Sequence, residues 1–399
     1  MPSLREAQLR HAKYYEALLR LANALYQRGG DVLKQGLDLF DLNSGNIQTG
    51  QIWATMHSDK NDYEATLLLS RYPDGGVYLL SLRQAINERI LWLELALTAT
   101  KLLQDRQLES AHLNHLGLAY AAAANYSQAI DCYNQALLLC RELGIRHREG
   151  SALGNLGNIY LQQGQNKQAI DHLQQALMIA REVNDELMVS QILGNLGNSY
   201  RNLENRDDAL ESIQQALSFS SKIGNKREET INQGMLGNVY LFTGKNKKAI
   251  EHYQQAANTA RIIGDKRSEG LCLNNMGRAY SNVGKYKLAI NFYEQALTIA
   301  GQIKDKHNEG IILNNLGWTY SFMNQRRKAI ESIRQARDVF KALKLQHEIK
   351  RTDILLILFR SRWLYLLIFV IRVFVYSVGL LIFPLMHLYR VLHHPKQKM

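Results

Sequence analysis

The chain has 399 residues, 46% of them hydrophobic and 21% charged, with a formal net charge of +12 at pH 7. Half of that charge lies beyond Ile354, where Arg360, Arg362, Arg372, Arg390, Lys396 and Lys398 meet no Asp or Glu, so only the tail is basic. Three cysteines form no even framework and the interior mixes Glu with Lys throughout, which excludes a disulfide scaffold and a nucleic-acid-binding stripe.

The N-terminus, "MPSLREAQLRHAKYYEALL", is charged and lacks an apolar core segment, so no signal peptide is expected. Residues 1–82 read as helical, with breaks at Gly29-Gly30, at "LNSGN" (42–46) and at "YPDGG" (72–76). Residues 83–109 supply a further helix. Leu93, Ala96 and Leu97 stand forty residues before Tyr133, Ala136 and Leu137, while Val77 and Leu80 replace the Gly and Tyr of later units. Residues 1–109 are therefore assigned as a helical region ending in a degenerate first repeat.

From 110 to 349 the chain repeats itself. Glycines fall at 117, 157, 197, 237, 277 and 317, and tyrosines at 120, 160, 200, 240, 280 and 320. Alanines recur at 129, 169, 209, 249, 289 and 329, and again seven residues later in every copy. A fixed 40-residue period over six copies is the mark of a solenoid, in which each unit buries its apolar face only against its neighbours. Leu153, Leu156, Gly157 and Tyr160 share one helical face; Ala169, Leu173, Ala176, Leu177 and Ala180 share another on a second helix. Gly157 and Ala169 predict close approach within a pair, and Ala176 close approach to the next. Gly164, Gly244, Gly284 and Asn324 are placed to end first helices, and Gly144, Asn184, Gly224 and Gly264 second helices, in the left-handed conformation. Asp185, Asn225, Asp265 and Asp305 are the expected N-caps. Cys132 and Cys140, eight residues apart on one helix, lie about 12 Å apart, too far to bridge, and reduced core thiols are expected.

These residues resemble the tetratricopeptide repeat (TPR), as in the set Leu273, Met276, Gly277, Tyr280, Ala289, Tyr293 and Ala296. The common TPR has about 34 residues and a terminal proline. The 40-residue unit here, with Arg141, Arg181 or Arg261 in place of that proline, is similar to the subclass of kinesin light chains, Leu-Gly-Asn adaptors and bacterial peptide-sensing regulators. The resemblance implies an all-α, right-handed TPR α-solenoid that serves as a binding platform. Residues 1–109 resemble the helical region preceding TPR arrays in bacterial signal-transducing NTPases. No G-x-x-x-x-G-K-[ST] occurs, so the resemblance implies a sensor or scaffold half without the motor.

Position six of the first helix is His115, Asn155, Asn195, Met235, Asn275 and Asn315; position nine is Leu118, Asn158, Asn198, Asn238, Arg278 and Trp318. The two positions share a face distinct from the Leu-Gly-Tyr core, and in TPR arrays that face lines the concave groove. Asn is a mediocre helix former, so a row of it needs a reason. An amide donates to a carbonyl and accepts from an N–H, so the row can hold an extended peptide regardless of its side chains. Gly154, Gly194 and Gly234 would leave room for the ligand backbone. The other reading is that the asparagines bond one another and stiffen the array. Arg201 and Arg278 favour an acidic or C-terminal carboxylate ligand.

No catalytic constellation is found: H-E-x-x-H, G-x-S-x-G and C-x-x-C are all missing, and no enzyme is expected. No cofactor motif occurs. His112 and His115 lie i, i+3 without a third ligand, and His393-His394 is equally thin, so no metal site is expected.

After a basic linker, 350–362, the segment 363–389 is expected to cross a membrane, followed by a short basic tail, 390–399. The 21 residues from Trp363 to Phe383 hold one charge, Arg372. Their fifteen Leu, Ile, Val and Phe at roughly −0.3 to −0.6 kcal/mol each outweigh about +2.5 to +3.5 kcal/mol for a central Arg. Lys and Arg before the span outnumber those after it, which sets the repeats on the cytoplasmic side. The expected protein is a membrane-anchored scaffold whose partners are a peptide or protein in the groove and lipid at the tail. A homo-oligomer is compatible with the sequence. Two alternatives stay open: a sensor whose Arg372-bearing helix perturbs the membrane, and a soluble scaffold whose apolar tail packs on a partner.

Overall fold

The computed structural model describes residues 3–28 and 32–361. Among the described residues there are eighteen helices and no strand, in two compact units divided between Phe219 and Ser220.

The first unit opens with α1 (Leu4–Arg28), α2 (Leu33–His57), α3 (Tyr63–Gly75), α4 (Val77–Arg83) and α5 (Ile86–Leu103). Helices α1 and α2 pack side by side over small residues: a Cβ on Gly36 would sit 2.6 Å from the Ala22 carbonyl oxygen. The expected break at 42–46 does not occur, and α2 runs through it. Asn43 Nδ2 donates to the Leu39 carbonyl at 2.8 Å and Ser44 Oγ to Asp41 at 3.2 Å, so these side chains bond the helix itself. Phe40 and Ile47, buried one turn to either side, anchor it. The break at Gly75-Gly76 does occur, and there the buried Asn23 caps α4 from α1, accepting from Tyr78 N at 3.0 Å and Leu79 N at 3.2 Å.

Regular 17-residue helices follow: α6 (Arg106–Ala122), α7 (Tyr126–Glu142), α8 (Arg146–Gln162), α9 (Asn166–Glu182), α10 (Glu186–Asn202) and α11 (Arg206–Lys222). The glycine–core register falls where the sequence put it. A Cβ on Gly157 would meet Leu173 at 2.6 Å, so α8 and α9 touch through that glycine. Cys132 and Cys140 are buried free thiols.

The second unit repeats the pattern in α12 (Lys226–Phe242), α13 (Asn246–Ile262), α14 (Lys266–Asn282), α15 (Tyr286–Gln302), α16 (Lys306–Phe322) and α17 (Arg326–Ala342). Gly237 and Gly277 would each meet a tyrosine, Tyr253 or Tyr293, at 2.6 Å. Helix α18 (Gln346–Arg360) ends the described chain, with Leu355, Leu356 and Phe359 buried against Ala329, Ile333 and Trp318.

All thirteen positions from 104 to 344 in steps of twenty have positive φ, between 55° and 77°. These include every Gly and Asn predicted to end a helix. The four expected N-caps also form: the side chains of Asp185, Asn225, Asp265 and Asp305 each accept from the N–H three residues on.

Arginine at the usual proline position has a structural role. Arg141 Nε donates to Glu149 at 2.9 Å and Arg261 Nε to Glu269 at 2.8 Å, tying α7 to α8 and α13 to α14. Glu149 and Glu269 are buried, and Arg146 and Lys266 bond them from their own helices.

Among the described residues no helix is long and apolar enough to cross a membrane. The expected span 363–389, with Trp363, Arg372 and Phe383, lies outside the described residues and draws no support from them.

Candidate functional site

In the first unit α8 touches both α6 and α10 directly, as well as through their partner helices, so positions six and nine of successive repeats come onto one surface. That surface encloses a cavity of about 600 Å³, closed at one end by Asp74, Val77 and Tyr78 of α3 and α4. Asn155, Asn158 and Asn195 all line it. Asn198, on the same helix as Asn195, does not.

Each amide has two donors and two lone pairs to satisfy. Asn155 Nδ2 donates to Asn114 Oδ1 at 3.0 Å, which leaves most of its capacity unused. Asn158 Oδ1 is buried and has no partner. The Asn195 and Asn198 side chains make no hydrogen bond among the described residues. A Cβ on Gly154 would find only Ile192 within reach, at 3.9 Å, so the backbone of α8 is open to the cavity there. Gly150 contrasts with it, since a Cβ would meet Ile179 at 3.0 Å.

The rim carries charge of both signs. His147 Nε2 and Asp185 Oδ2 lie 2.9 Å apart, and Arg148 donates to the Gln107 carbonyl at 2.8 Å. Sequence spacing missed this rim and the α3–α4 wall, because neither lies on the repeat's position-six or position-nine rows.

In the second unit the predicted residues are spent mostly on one another. Asn275 Nδ2 donates to Asn238 Oδ1 at 3.3 Å, Tyr253 OH donates to the same oxygen at 2.7 Å, and Asn315 Nδ2 donates to Asn274 Oδ1 at 2.9 Å. Arg278 is exposed. Both readings of the asparagine row find residues: Asn155–Asn114 in the first unit and Asn315–Asn274 in the second are the same bond between successive repeats, while the amides of Asn158 and Asn195 keep spare capacity around the first unit's cavity.

Periodic ring stacks lie within the hairpins. Tyr160 stacks on His172 and Tyr280 on Phe292, both with centroids 5.2 Å apart, and Tyr240 on His252 likewise. The signal was an aromatic twelve residues after the repeat tyrosine.

His112 Nε2–H donates to the Ser70 carbonyl at 2.8 Å, so that ring is already engaged in the fold. Among the described residues no group of three His, Cys, Asp or Glu is placed to hold a metal ion. Burial pushes the Cys132 thiol up to about 11 and Cys272 up to about 12, which keeps both protonated and unreactive at neutral pH.

A family model described as tetratricopeptide repeat matches residues 108–182, 188–262 and 269–342. A search of curated protein sequences finds no match. Similar solved structures include a Rap protein complexed with competence and sporulation factor (15% identity, 89% of this chain and 98% of that one, TM-score 0.54). They also include a signal-transduction ATPase with a tetratricopeptide repeat sensor from Pyrococcus horikoshii (15% identity, 86% of this chain and 60% of that one, TM-score 0.51). Kinesin-light-chain TPR-like repeats from Podosopora anserina align with 19% identity over 49% of this chain and 95% of theirs, at TM-score 0.41.

Proposed function

The chain belongs to the tetratricopeptide repeat family, and from that premise we propose that it is a scaffold whose first unit binds an extended peptide, or an extended segment of a partner protein. The site is the cavity between α6, α8 and α10. One observation carries the reading: Asn155, Asn158 and Asn195 surround an open volume of about 600 Å³ with unused amide capacity, including a buried carbonyl on Asn158 with no partner. A buried unpaired carbonyl costs free energy, and a peptide N–H would satisfy it. An extended backbone offers a donor and an acceptor per residue, which is what a row of amides can read without regard to side chains. A Rap protein of similar fold is complexed with competence and sporulation factor, which supports a binding role for such a fold. The chain acts by binding and not by catalysis in this reading.

The tail completes the proposal. Residues 363–389 anchor the protein in a membrane by a single span, with the repeats on the cytoplasmic face; the apolar run from Trp363 to Phe383 and the basic residues before it support this.

The cavity is tested with the full chain by fluorescence anisotropy against a library of labelled ten-residue peptides. Asn155→Ala, Asn158→Ala and Asn195→Ala should each weaken the selected peptides by roughly 5- to 10-fold, about 1 to 1.4 kcal/mol per hydrogen bond lost. Asn158→Ala should not lower thermal stability and should raise it slightly, because its buried carbonyl bonds nothing in the free protein and Ala is the better helix former. Selected peptides whose affinity ignores all three substitutions would show that the asparagines only stiffen the array.

A further inference from the structure

Beside the large cavity lies a smaller pocket of about 180 Å³ between α4, α5 and α6, and Val77, Tyr78, His115 and Leu118 line both. Its walls are mostly apolar, with Leu80, Trp92 and Leu93 among them. Three polar side chains nevertheless line it with atoms left unbonded. Both ends of the Gln84 amide, Arg89 Nε and His115 Nδ1 are buried without a hydrogen-bond partner.

Arg89 is the most telling of the three. It makes no ion pair among the described residues, and burial pushes its guanidinium below its ordinary value. A half-buried guanidinium with its Nε shut off from water and no carboxylate beside it has lost hydration that a bound anion would replace. Guanidinium nitrogens match the two oxygens of a carboxylate. The Gln84 amide beside it can donate through Nε2 and accept a backbone N–H through Oε1.

Size decides what brings the carboxylate. About 180 Å³ is below the roughly 300 to 1,000 Å³ of pockets for drug-sized ligands, so there is room for about one residue. The apolar walls ask for an apolar side chain, and an internal Asp or Glu does not supply one. A C-terminal residue unites an apolar side chain, a free carboxylate and an N–H. The pocket shares a wall with the cavity that would hold the rest of the peptide.

We propose that this pocket takes the C-terminal residue of the bound peptide, with its carboxylate on Arg89 and Gln84 and an aliphatic or aromatic side chain against Leu80, Trp92 and Leu93. The proposal rests on the reading of the larger cavity as a peptide groove. The polarity of binding follows: the chain end lies at α4–α5 and the preceding residues run across α6, α8 and α10.

The test uses the full chain and N-terminally labelled ten-residue peptides from the same library, each made with a free C-terminus and as the amide. Selected peptides should end in Leu, Ile, Met or Phe, and amidation should weaken them at least tenfold. Arg89→Gln should weaken the free-acid peptides to a similar degree and leave the amides unchanged, since the pair acts as one unit. The amidation arm uses the unaltered protein, so misfolding of a variant cannot imitate it. If amidation and Arg89→Gln are both without effect while Asn158→Ala still weakens binding, the pocket assignment is wrong and the groove stands. If no peptide in the library binds, both readings fall.

Discussion

His115 sits between the two cavities, and its protonation links them to stability. Burial first, and the charge of His112 second, lower its pKa to about 4, with Arg148 and Arg89 adding to the effect against Asp74. Burial lowers His112, His172 and His252 as well. In the unfolded chain a histidine takes its proton near pH 6.5. Between that pH and about 4, the unfolded state binds more protons than the folded one, so stability falls as pH falls through this window. Carboxylates act lower down. Burial raises Glu269, but hydrogen bonds from Lys266 and Arg261 outweigh it and hold the group below its ordinary value. Its contribution is present above the unfolded pKa and is lost only as pH drops through the depressed one. Thermal melts of the full chain should therefore show Tm falling from pH 7 to pH 5, with a visibly shallower slope in His115→Gln. A Tm that stays flat over that range would mean the histidines are not held neutral by the fold.

At the scale of helices, the twenty-residue spacing of left-handed residues makes a clean experiment. Gly144, Gly164, Gly224, Gly244, Gly264 and Gly284 occupy six of the thirteen positions, whereas Ala124 and Glu204 adopt the same conformation with a Cβ. That conformation costs an ordinary residue about 1 to 2 kcal/mol. Ala124→Gly and Glu204→Gly should each stabilise the chain by roughly 1 kcal/mol, read as a higher urea midpoint at unchanged slope. Gly164→Ala should cost a similar amount from backbone strain alone, because a Cβ there meets nothing within 4 Å. Gly157→Ala should cost more, because its Cβ would sit 2.6 Å from Leu173. These positions were legible from sequence because a 40-residue unit repeats its contacts as well as its residues. The N-terminal helices offered no such repetition, and "LNSGN" reads locally as a turn. It is helical because Asn43 and Ser44 bond back to their own helix while Phe40 and Ile47 hold the buried face. The site divides in the same way. Asn155, Asn158 and Asn195 were visible as rows three residues apart. Gln84, Arg89 and His115 were not visible as a group, because α4, α5 and α6 bring them together from outside any repeating row.

For the molecule as a whole, the fold indicates where a shortened chain must end to test the membrane proposal. Helix α18 buries Leu355, Leu356 and Phe359 on α16 and α17, and Arg326 Nε donates to the Phe359 carbonyl at 2.7 Å, capping its C-terminal end. A chain ending at Gln346 would strip this helix away and expose Ala329, Ile333 and Trp318, so its insolubility would say nothing about lipid. A chain ending at Ser361 keeps the helix and removes the whole apolar segment. The full chain should stay with membranes through carbonate extraction, and the chain ending at Ser361 should be released and monodisperse with an unchanged helical melt. If the full chain is released as well, the span from Trp363 to Phe383 does not anchor the protein, and its apolar surface is a contact for a partner subunit. If the full chain stays and also empties dye-loaded vesicles, with Arg372→Leu abolishing the leak but not the retention, the tail is an effector helix and the arginine is its working part. Retention without leakage leaves the anchor as the tail's role, and the peptide groove as the part of the protein that selects its partner.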